Sequence, residues 1–354
     1  MLIPSAVRHN RHASARLRGP APTSIAAVRI LTRGDTQGAI ALADCIAAVE
    51  RAFRLHGEGR SLAARRLHVP AVGGGAFHVT AGGLAPDGRG ATFGVKINGR
   101  FPPPQPGGSQ RLNGAVLLFD AADGRPLALL DSMVVTGIRT AAVTALVVRL
   151  LARADARRAL LVGAGRQAHG QVEALAATGL VAELAVYDLV RERAEGVAGE
   201  ARSLGIEAEV VGDPGAAAAT SDVVVTVTPA TAPILSAADI GPGRLVVALG
   251  ADGPGKQELD PAILAQSKVV VDVLEQAAEQ GELQHALALG LIGREDVHAE
   301  LGELVAGLVA GRTNAEETFV FDATGTAIQD VAAASLLLDV ARERGLGIEL
   351  DLGA

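Results

Sequence analysis

The sequence predicts an α/β fold in which a Rossmann-type, doubly wound parallel sheet is joined to a second, mostly antiparallel α+β domain. In the second half of the 354-residue chain, short valine-rich segments recur at helix-length intervals, and their lack of polar alternation indicates strands buried on both faces. In the first half, apolar segments are cut by Gly and Pro and joined by an Asp-Gly pair, which is typical of antiparallel hairpins.

These patterns divide the chain into three parts. Residues 1–27 contain four Arg and no acid, which predicts a disordered basic extension; a transit peptide and a true start near Val28 are the alternatives. Residues 28–134 form the antiparallel domain, and the closing segment 324–354 is expected to return to it. Residues 135–323 form the parallel, Rossmann-type domain.

The antiparallel domain begins with a short strand and one amphipathic helix. VRILT is the strand, and ALADCIAAVERAFRLHG is the helix, with Leu42, Ile46, Val49 and Phe53 at helical spacing. RRLHVPAV, GAFHVTAG and GATFGVKING are predicted strands, and GAVLLFDAADGRPLALLDS is a predicted hairpin that turns at its Asp-Gly pair.

The parallel domain begins with a long helix, TGIRTAAVTALVVRLLARAD, which is predicted to be capped by Thr136. Six strands follow at helix-length intervals: ALLVG, ELAVYD, EAEVV, DVVVTVT, RLVVALG and KVVVDV. A last strand, TFVFDA, precedes the closing helix IQDVAAASLLLDVARERG.

Composition narrows the class of protein. The net charge is −7 and no basic stripe offsets it, which argues against nucleic acid as the main partner. No apolar run approaches the length of a membrane span, and no Cys/His spacing suggests a metal site. Cys45 is the only cysteine, so no intrachain disulfide can form. We therefore expect a cytoplasmic protein that acts without a metal, a membrane or nucleic acid.

The first parallel strand runs into GAGRQAHG, which has the spacing of a dinucleotide-binding turn. Gly163 permits the tight turn, and Gly165 lets the backbone approach a pyrophosphate at the N-terminus of the following helix. Asp188, at the end of the next strand, would accept the ribose hydroxyls and repel a 2′-phosphate, which favours NAD. Arg191 and Arg193 follow closely, so NADP stays open. The alternative is a glycine-rich turn beside a solvated Asp.

Two further residues follow strands whose ends should meet that turn. Thr228 ends DVVVTVT and either faces the nucleotide crevice or closes an ordinary turn. Asp252 follows RLVVALG in GADGPGK, where it either projects toward the crevice or serves as a turn former.

Three cations lie in or beside segments of the first domain. Lys96 interrupts the apolar run TFGVKI, where a buried charge needs an anionic partner. Arg139 is expected in the first turn of its helix, the unfavourable end for a cation, so it too needs an anion. For Arg66, in RRLHV, the sequence evidence for a role in the site is the weakest of the three. Together they predict a clamp for a carboxylate; the alternative is a set of solvated surface cations.

From about Val28 to the C-terminus, a set of motifs resembles the ornithine cyclodeaminase/mu-crystallin family. They are GVKINGRFP around Lys96, DSMVVTGIRTAAVTAL around Arg139, GAGRQA, TVTPATAPIL, LGADGPGKQELD and FDATGTAIQDVAAA. This resemblance implies a Rossmann domain that binds NAD(H) and a second domain that binds substrate and usually forms a homodimer.

The resemblance also implies roles for individual residues. Asp252 would handle protons on the substrate amine, with Lys96 beside it. A small amino acid or cyclic imine would be bound by Arg66, Lys96, Arg139, His78 and Thr80. Together with the glycine turn, the resemblance places the cofactor against Gly163, Gly165, Arg166, Gln167, Asp188, Thr228, Arg139 and Lys256.

The expected activity is hydride transfer at the α-carbon of a small amino acid, with formation of an imine and loss of ammonia. Ketimine reductases of the mu-crystallin type lack the acid that matches Asp252, so its presence favours an amino acid as substrate. The product would leave as a 2-oxo acid, as in alanine dehydrogenases, or cyclise, as in cyclodeaminases. The second hypothesis is an NAD(P)H-dependent reductase of cyclic imines such as pyrroline-2-carboxylate. The third is a nucleotide-binding protein without turnover, similar to mu-crystallin.

Overall fold

The computed structural model describes residues 27–85, 90–102 and 111–352, so the predicted basic extension lies outside the described residues apart from Ala27. The strands are β1 (Val28–Leu31), β2 (Ser61–Pro70), β3 (Ala76–Leu84), β4 (Thr92–Phe101), β5 (Arg111–Asp120), β6 (Pro126–Asp131), β7 (Arg158–Val162), β8 (Glu183–Tyr187), β9 (Glu207–Val210), β10 (Val223–Thr226), β11 (Thr231–Leu235), β12 (Leu245–Ala248), β13 (Gln257–Leu259), β14 (Lys268–Val271), β15 (Ala299–Glu300), β16 (Phe319–Asp322) and β17 (Ile348–Leu350).

The α-helices are α1 (Arg33–Thr36), α2 (Leu42–Gly57), α3 (Ser132–Leu151), α4 (Arg166–Thr178), α5 (Arg191–Ser203), α6 (Pro214–Ala218), α7 (Pro261–Ala265), α8 (Leu274–Gln280), α9 (Leu283–Ala288), α10 (Leu301–Val305) and α11 (Ala327–Arg344). Two short 3-10 turns, Ala237–Asp239 and Arg294–Asp296, complete the list of elements in the described ranges.

The first sheet has seven strands in the order β17-β1-β6-β5-β4-β3-β2. Neighbouring strands run antiparallel except β1 and β6, which are parallel. The predicted Asp-Gly turn joins β5 to β6, with Gly124 at a φ of 78°, a conformation that glycine adopts without strain. The end of the chain lies on this sheet, because β17 pairs with β1 and α11 packs on β3 and β4.

The second sheet has eight parallel strands in the order β15-β14-β16-β12-β10-β7-β8-β9. The strands β9, β8, β7, β10 and β12 follow the Rossmann order 3-2-1-4-5, and β16 takes the next position. The strand order reverses between β7 and β10, so a crevice opens at the carboxyl ends of these two strands. All seven strands predicted for the parallel domain lie in this sheet, which confirms the predicted fold class.

Helix α3 starts earlier than the sequence predicted. It begins at Ser132, and the carboxylate of Asp131 caps it by accepting hydrogen bonds from the N–H groups of Met133 and Val134, so the prediction that Thr136 is the cap was wrong. Arg139 is therefore the eighth residue of the helix, not part of its first turn, and the argument from the helix dipole does not apply to it.

The predicted domain boundary stays a prediction, and α3 lies across it. The division between residues 134 and 135 falls inside this helix, which packs against both α2 and α4 and so connects the two halves. By length and mean hydropathy α3 could cross a membrane, although the sequence shows no unbroken apolar run of that length. Most of the helix is buried inside the protein, as in the core helix of a globular domain.

The two faces of the first sheet differ. We call the side toward α11 the inner face; Gly94, Lys96 and Asn98 of β4 lie on it, and a Cβ atom on Gly94 would lie 2.6 Å from Cγ2 of Val331 in α11. The opposite side, the outer face, presents apolar side chains that are substantially exposed: Leu67, Val69, Phe77 and Ile97.

Candidate active site

Three polar side chains stand side by side on the inner face. Thr80 on β3 is paired directly with Arg66 on β2 and with Lys96 on β4. Directly paired residues of neighbouring strands share one face, so the three side chains form a row, which we call the first row. Thr80 and Lys96 are only 5% and 7% exposed, so the first row lies at the closed end of the site.

The ammonium of Lys96 and the guanidinium of Arg139 share one carboxylate, that of Asp330 on α11. Lys96 Nζ lies 2.7 Å from Asp330 Oδ2, and Arg139 Nε lies 3.3 Å from Asp330 Oδ1. Arg139 Nη1 also donates to Gln329 Oε1 at 3.0 Å. The anion that both cations were expected to need is therefore supplied by the chain itself. Two positive charges against one negative leave a net positive charge, which suits a substrate carboxylate.

Asp330 was not predicted from the sequence, although a signal for it exists. The residue interrupts the apolar segment IQDVAAA, just as Lys96 interrupts TFGVKI. A lone charge at a buried position needs a partner of opposite sign, so the two interruptions could have been matched to each other.

Arg66 reaches from the first sheet to the second. Its Nη2 donates to the backbone oxygen of Asp252 at 2.6 Å, and its Nη1 donates to the backbone oxygen of Thr324 at 3.1 Å. These acceptors follow β12 and β16, which are neighbours in the second sheet. Gly325 brings Arg139 to the same loop, since a Cβ atom there would lie 2.8 Å from Arg139 Nη2. The site thus lies between the inner face and the carboxyl ends of the parallel strands.

The carboxylate of Asp252 forms an ion pair with the ammonium of Lys256. Lys256 Nζ also donates to the backbone oxygen of Gly250 at 3.2 Å, which fixes the pair at the end of β12. Desolvation raises the pKa of Asp252, but Lys256 and Arg66 outweigh it, and the resulting pKa lies below the usual range of an Asp. The side chain is 48% exposed, so an ionised carboxylate is open to a ligand at neutral pH.

His78 follows Thr80 on the inner face, two residues toward the mouth of the site. Burial, together with the charges of Arg66 and His68, lowers the pKa of His78 to about 4, so its imidazole is neutral at pH 7. The rings of His68 and His78 pack edge to face, with their centroids 4.7 Å apart.

The glycine-rich turn after β7 fits a dinucleotide. Gly163 has a φ of 103°, and a Cβ atom on it would lie 2.9 Å from Thr228 Cγ2, so the position requires glycine. A Cβ atom on Gly165 would meet nothing within 4 Å, so the space above the turn is open. Among the described residues no side chain caps α4, which leaves the N–H groups of Arg166 and Gln167 available to a pyrophosphate.

Asp188 holds the glycine turn in place. Its carboxylate accepts hydrogen bonds from the N–H of Ala164 at 2.7 Å and from the N–H of Val190 at 2.8 Å. The side chain therefore lies beside the turn, at the place from which a ribose would be bound. Its contact with the ribose, and the preference for NAD over NADP that depends on it, stay predictions.

Glu258, which the sequence analysis did not single out, ties β10 to β12 from a fully buried position. Its carboxylate accepts hydrogen bonds from Thr226 Oγ1 at 2.7 Å, Thr228 N at 2.6 Å and Gly250 N at 2.7 Å. The Thr228 hydroxyl accepts a hydrogen bond from the N–H of Ala230 and so closes a turn, while its methyl group faces Gly163 across the crevice.

Three more buried carboxylates, those of Asp272, Glu282 and Asp322, hold the same strand ends. Asp272 accepts hydrogen bonds from the N–H groups of Thr324 and Gly325, and Glu282 accepts them from the N–H groups of Glu258 and Leu259. Asp322 accepts one from the N–H of Leu283. Asp272 and Asp322 interrupt the apolar runs VVVDV and FVFDA, but a local pattern does not show that their partners are backbone groups. The described residues contain no grouping of three metal-ligating side chains.

These carboxylates should make the protein less stable as the pH rises. Burial, with the negative charges of Glu258 and of the neighbouring aspartates, raises the pKa of Asp322 to about 7 and that of Glu282 to about 9. A carboxyl group whose pKa is raised by folding stabilises the protein fully below its unfolded pKa, and this stabilisation is lost as the pH rises through the folded pKa. Because the unfolded pKa values are 3.8 for Asp322 and 4.5 for Glu282, we expect the free energy of unfolding in urea to fall between about pH 4 and pH 9.

The matched variant for this prediction is Glu282→Gln, because an uncharged amide imitates the protonated carboxyl group. The variant should lose less stability than the parent as the pH rises from about 5 to about 9, the range between the unfolded and the folded pKa of Glu282. Identical pH profiles for the two proteins would show that Glu282 is not protonated in the folded chain.

The fold and the site together define a class of protein: a nucleotide-dependent enzyme in which a second, cation-bearing sheet faces the strand ends of a Rossmann sheet. The chain belongs to the ornithine cyclodeaminase/mu-crystallin family, whose model matches residues 27–345. The family predicted from the motifs is therefore confirmed.

Individual relatives carry more specific names. Alanine dehydrogenase of Archaeoglobus fulgidus is 36% identical over 321 residues, which cover 91% of this chain and 97% of that protein. The structure of an archaeal alanine dehydrogenase dimer with bound NAD matches with a TM-score of 0.86 at 35% identity, over 92% of this chain and 99% of that one.

Two reductases are also similar. Delta(1)-pyrroline-2-carboxylate reductase of Thermococcus litoralis, in complex with NADH and L-proline, has a TM-score of 0.85 at 30% identity over 91% of this chain and 100% of that one. Iminosuccinate reductase of Paracoccus denitrificans, in complex with NAD⁺, has a TM-score of 0.83 at 29% identity over 92% of this chain and 100% of that one. All three solved relatives contain the cofactor that the sequence predicted for this chain.

Proposed function

We propose that the protein is an NAD-dependent enzyme that transfers a hydride at the α-carbon of an amino acid or of its imine. The observation that carries this proposal is that Lys96 and Arg139 share the carboxylate of Asp330 while Arg66, in the same row as Lys96, reaches the backbone of Asp252 at the carboxyl ends of a sheet with a dinucleotide turn. Family membership and relatives that are named dehydrogenases and reductases support it.

The chain's own residues would perform three tasks. Lys96 and Arg139 would bind the α-carboxylate of the substrate, since Asp330 balances only one of their two charges. Asp252 would take a proton from the substrate nitrogen as the C=N bond forms, and would return it in the reverse direction. Arg66 would fix the distance between the first row and the strand-end loop of Asp252. Bound NAD⁺ would supply the hydride acceptor.

Two fates of the imine define the candidate reactions. Water can add to it and release a 2-oxo acid and ammonia, as in an amino-acid dehydrogenase, or a side-chain amine can close on it and release ammonia, as in a cyclodeaminase. A reductase of cyclic ketimines is the second candidate function, and the likeness to a structure that contains NADH and L-proline favours it.

Activity assays that combine each of two cofactors with each of several substrates test the proposal. Net NADH from alanine with NAD⁺ identifies a dehydrogenase, whereas proline and ammonia from ornithine without net NADH identify a cyclodeaminase. Reduction of pyrroline-2-carboxylate alone identifies the second candidate. Tight binding of NADH without turnover of any substrate would contradict the proposal and favour a binding protein. Because of Asp188, we expect NAD⁺ to give higher kcat/KM than NADP⁺.

We further propose that two copies of the chain form a homodimer through the outer face. Leu67, Val69, Phe77 and Ile97 are 60%, 47%, 42% and 45% exposed, and such a contiguous apolar sheet face is costly to leave in water. The archaeal alanine dehydrogenase relative is itself a dimer. Sedimentation velocity should show a dimer that Phe77→Asp weakens; a monomeric parent protein would contradict this proposal.

A further inference from the structure

We propose that the substrate carries a second carboxylate on a short side chain, and that His68, His78 and Asn98 bind this carboxylate on the inner face. The inference rests on the proposed function, because it names the substrate class of the same site. It makes an amino acid such as aspartate, or the corresponding imino acid, the preferred substrate over alanine, ornithine or a cyclic imine.

The sheet register places these three residues next to the first row. His78 on β3 is paired directly with His68 on β2 and with Asn98 on β4, and each lies two residues from a member of the first row. They therefore form a second row on the same face, about 7 Å along the strands at the usual rise per residue. That spacing matches the reach of a short side chain from an α-carboxylate bound at the first row.

Exposure shows the direction in which the substrate would lie. Thr80 and Lys96 in the first row are buried, His78 and Asn98 in the second row are partly exposed, and His68 is exposed. The first row thus closes the site and the second row lies toward its mouth. An α-carboxylate held by Lys96 and Arg139 at the closed end would direct the side chain toward the second row.

The charges around the second row favour an anion. The positive charges of Arg66 and Arg100 both lower the pKa of the His78 imidazole. Arg100 lies on the inner face of β4, two residues beyond Asn98. The negative charge of Asp252 raises the pKa of His78, but this carboxylate is already paired with Lys256. None of the paired positions on β2, β3 and β4 that form the two rows is an Asp or Glu. A second ammonium, as in ornithine, would therefore face two arginines, with Asp252, already paired with Lys256, as the acid near His78.

The hydrogen-bonding groups suit a carboxylate as well. A neutral imidazole offers one N–H donor, and the edge-to-face contact of His68 with His78 holds the two rings together. Ser132 Oγ donates to Asn98 Oδ1 at 2.6 Å, which orients the amide so that its NH2 group remains a donor for another acceptor. Donors to an ionised acceptor make the stronger hydrogen bonds.

In the oxidative direction the Cα–H bond of aspartate would break, and its electron pair would pass as hydride to bound NAD⁺. The ammonium nitrogen would lose two protons as the C=N bond forms, one of them to Asp252, which leaves the imino dicarboxylate and NADH. Addition of water to the imine, with the return of one proton, would then release the 2-oxo dicarboxylate and ammonium.

The test compares substrates that differ in the side-chain carboxylate. With NAD⁺, kcat/KM for aspartate should exceed that for alanine and for ornithine by at least tenfold; in the reverse direction, oxaloacetate with ammonium should exceed pyruvate with ammonium. A preference for alanine, ornithine or pyrroline-2-carboxylate would overturn the inference while leaving the proposed function intact.

A binding measurement tests the second carboxylate separately from the proposed function, because it does not require turnover. In the presence of NADH, succinate should raise the melting temperature of the full-length protein, and butyrate at the same concentration should not. If no substrate is turned over, the proposed function fails, and this measurement still decides the inference. Equal effects of succinate and butyrate would overturn it.

A pair of variants locates the second carboxylate. His78→Glu places a negative charge in the second row, and we expect it to raise KM for aspartate at least tenfold with a smaller change for alanine. His78→Gln keeps a neutral donor and should restore most of the affinity for aspartate that His78→Glu loses. An equal effect of His78→Glu on both substrates would contradict the assignment of the second row.

Discussion

Replacing Asp330 with Asn should destabilise the cofactor-free protein by about 3–5 kcal/mol, the usual result of removing one partner from a buried ion pair. The reason is that Lys96 and Arg139 share this carboxylate, and both cations are largely buried. Without it, two positive charges lie close together with no anion and with little access to water. Denaturation in urea at neutral pH measures the loss.

A double variant provides the control. In Asp330→Asn combined with Lys96→Met, only one cation remains beside the amide, so part of the stability lost in the single variant should return. If the single variant were as stable as the parent to within about 1 kcal/mol, the carboxylate would not be the counter-ion of the two cations.

The second large effect concerns the reaction itself. Asp252→Asn should lower kcat/KM by about 10²–10⁴-fold, the usual contribution of a positioned acid or base. An amide cannot accept the proton that the substrate nitrogen loses, whereas Arg66 contacts only the backbone oxygen of residue 252 and should keep its place. NADH titration should give an unchanged Kd, which separates loss of chemistry from loss of cofactor binding.

Lys256→Met is the companion variant for Asp252. The Lys256 ammonium holds the pKa of Asp252 below its usual range, so without it that pKa should rise. An ionised Asp252 is the active form in the oxidative direction, and the acidic limb of the kcat/KM profile should therefore move to higher pH. If Asp252→Asn retained full activity, or if the limb stayed in place, Asp252 would not be the base.

The sequence predicted the two sheets because their signals are local. Burial on both faces makes β7, β10 and β12 rich in valine and leucine, and the positive φ of Gly163 requires glycine whatever the surroundings. The same local reasoning found Lys96, because a charge inside an apolar strand is conspicuous.

What the sequence did not predict is pairing over long distances. Asp330 lies 234 positions after Lys96 in the chain, and the link from Arg66 to the backbone of Asp252 spans 186 positions. Both contacts exist only once α11 and β12 have been brought against the first sheet. The start of α3 was misplaced for a local reason: Thr136 and Asp131 both have side chains that can cap a helix, and composition does not choose between them.

The contacts of Arg66 have an evolutionary consequence. The guanidinium of Arg66 connects the two halves by donating hydrogen bonds to main-chain oxygens, which every amino acid possesses. These hydrogen bonds therefore do not depend on which side chains occupy positions 252 and 324. Mutations at position 252 can therefore alter proton handling without releasing Arg66, whereas the hydroxyl of Thr324 also forms hydrogen bonds with Asp272 and Gln276. Relatives that share this connection can therefore change their chemistry at position 252 while the arrangement of the two sheets stays the same.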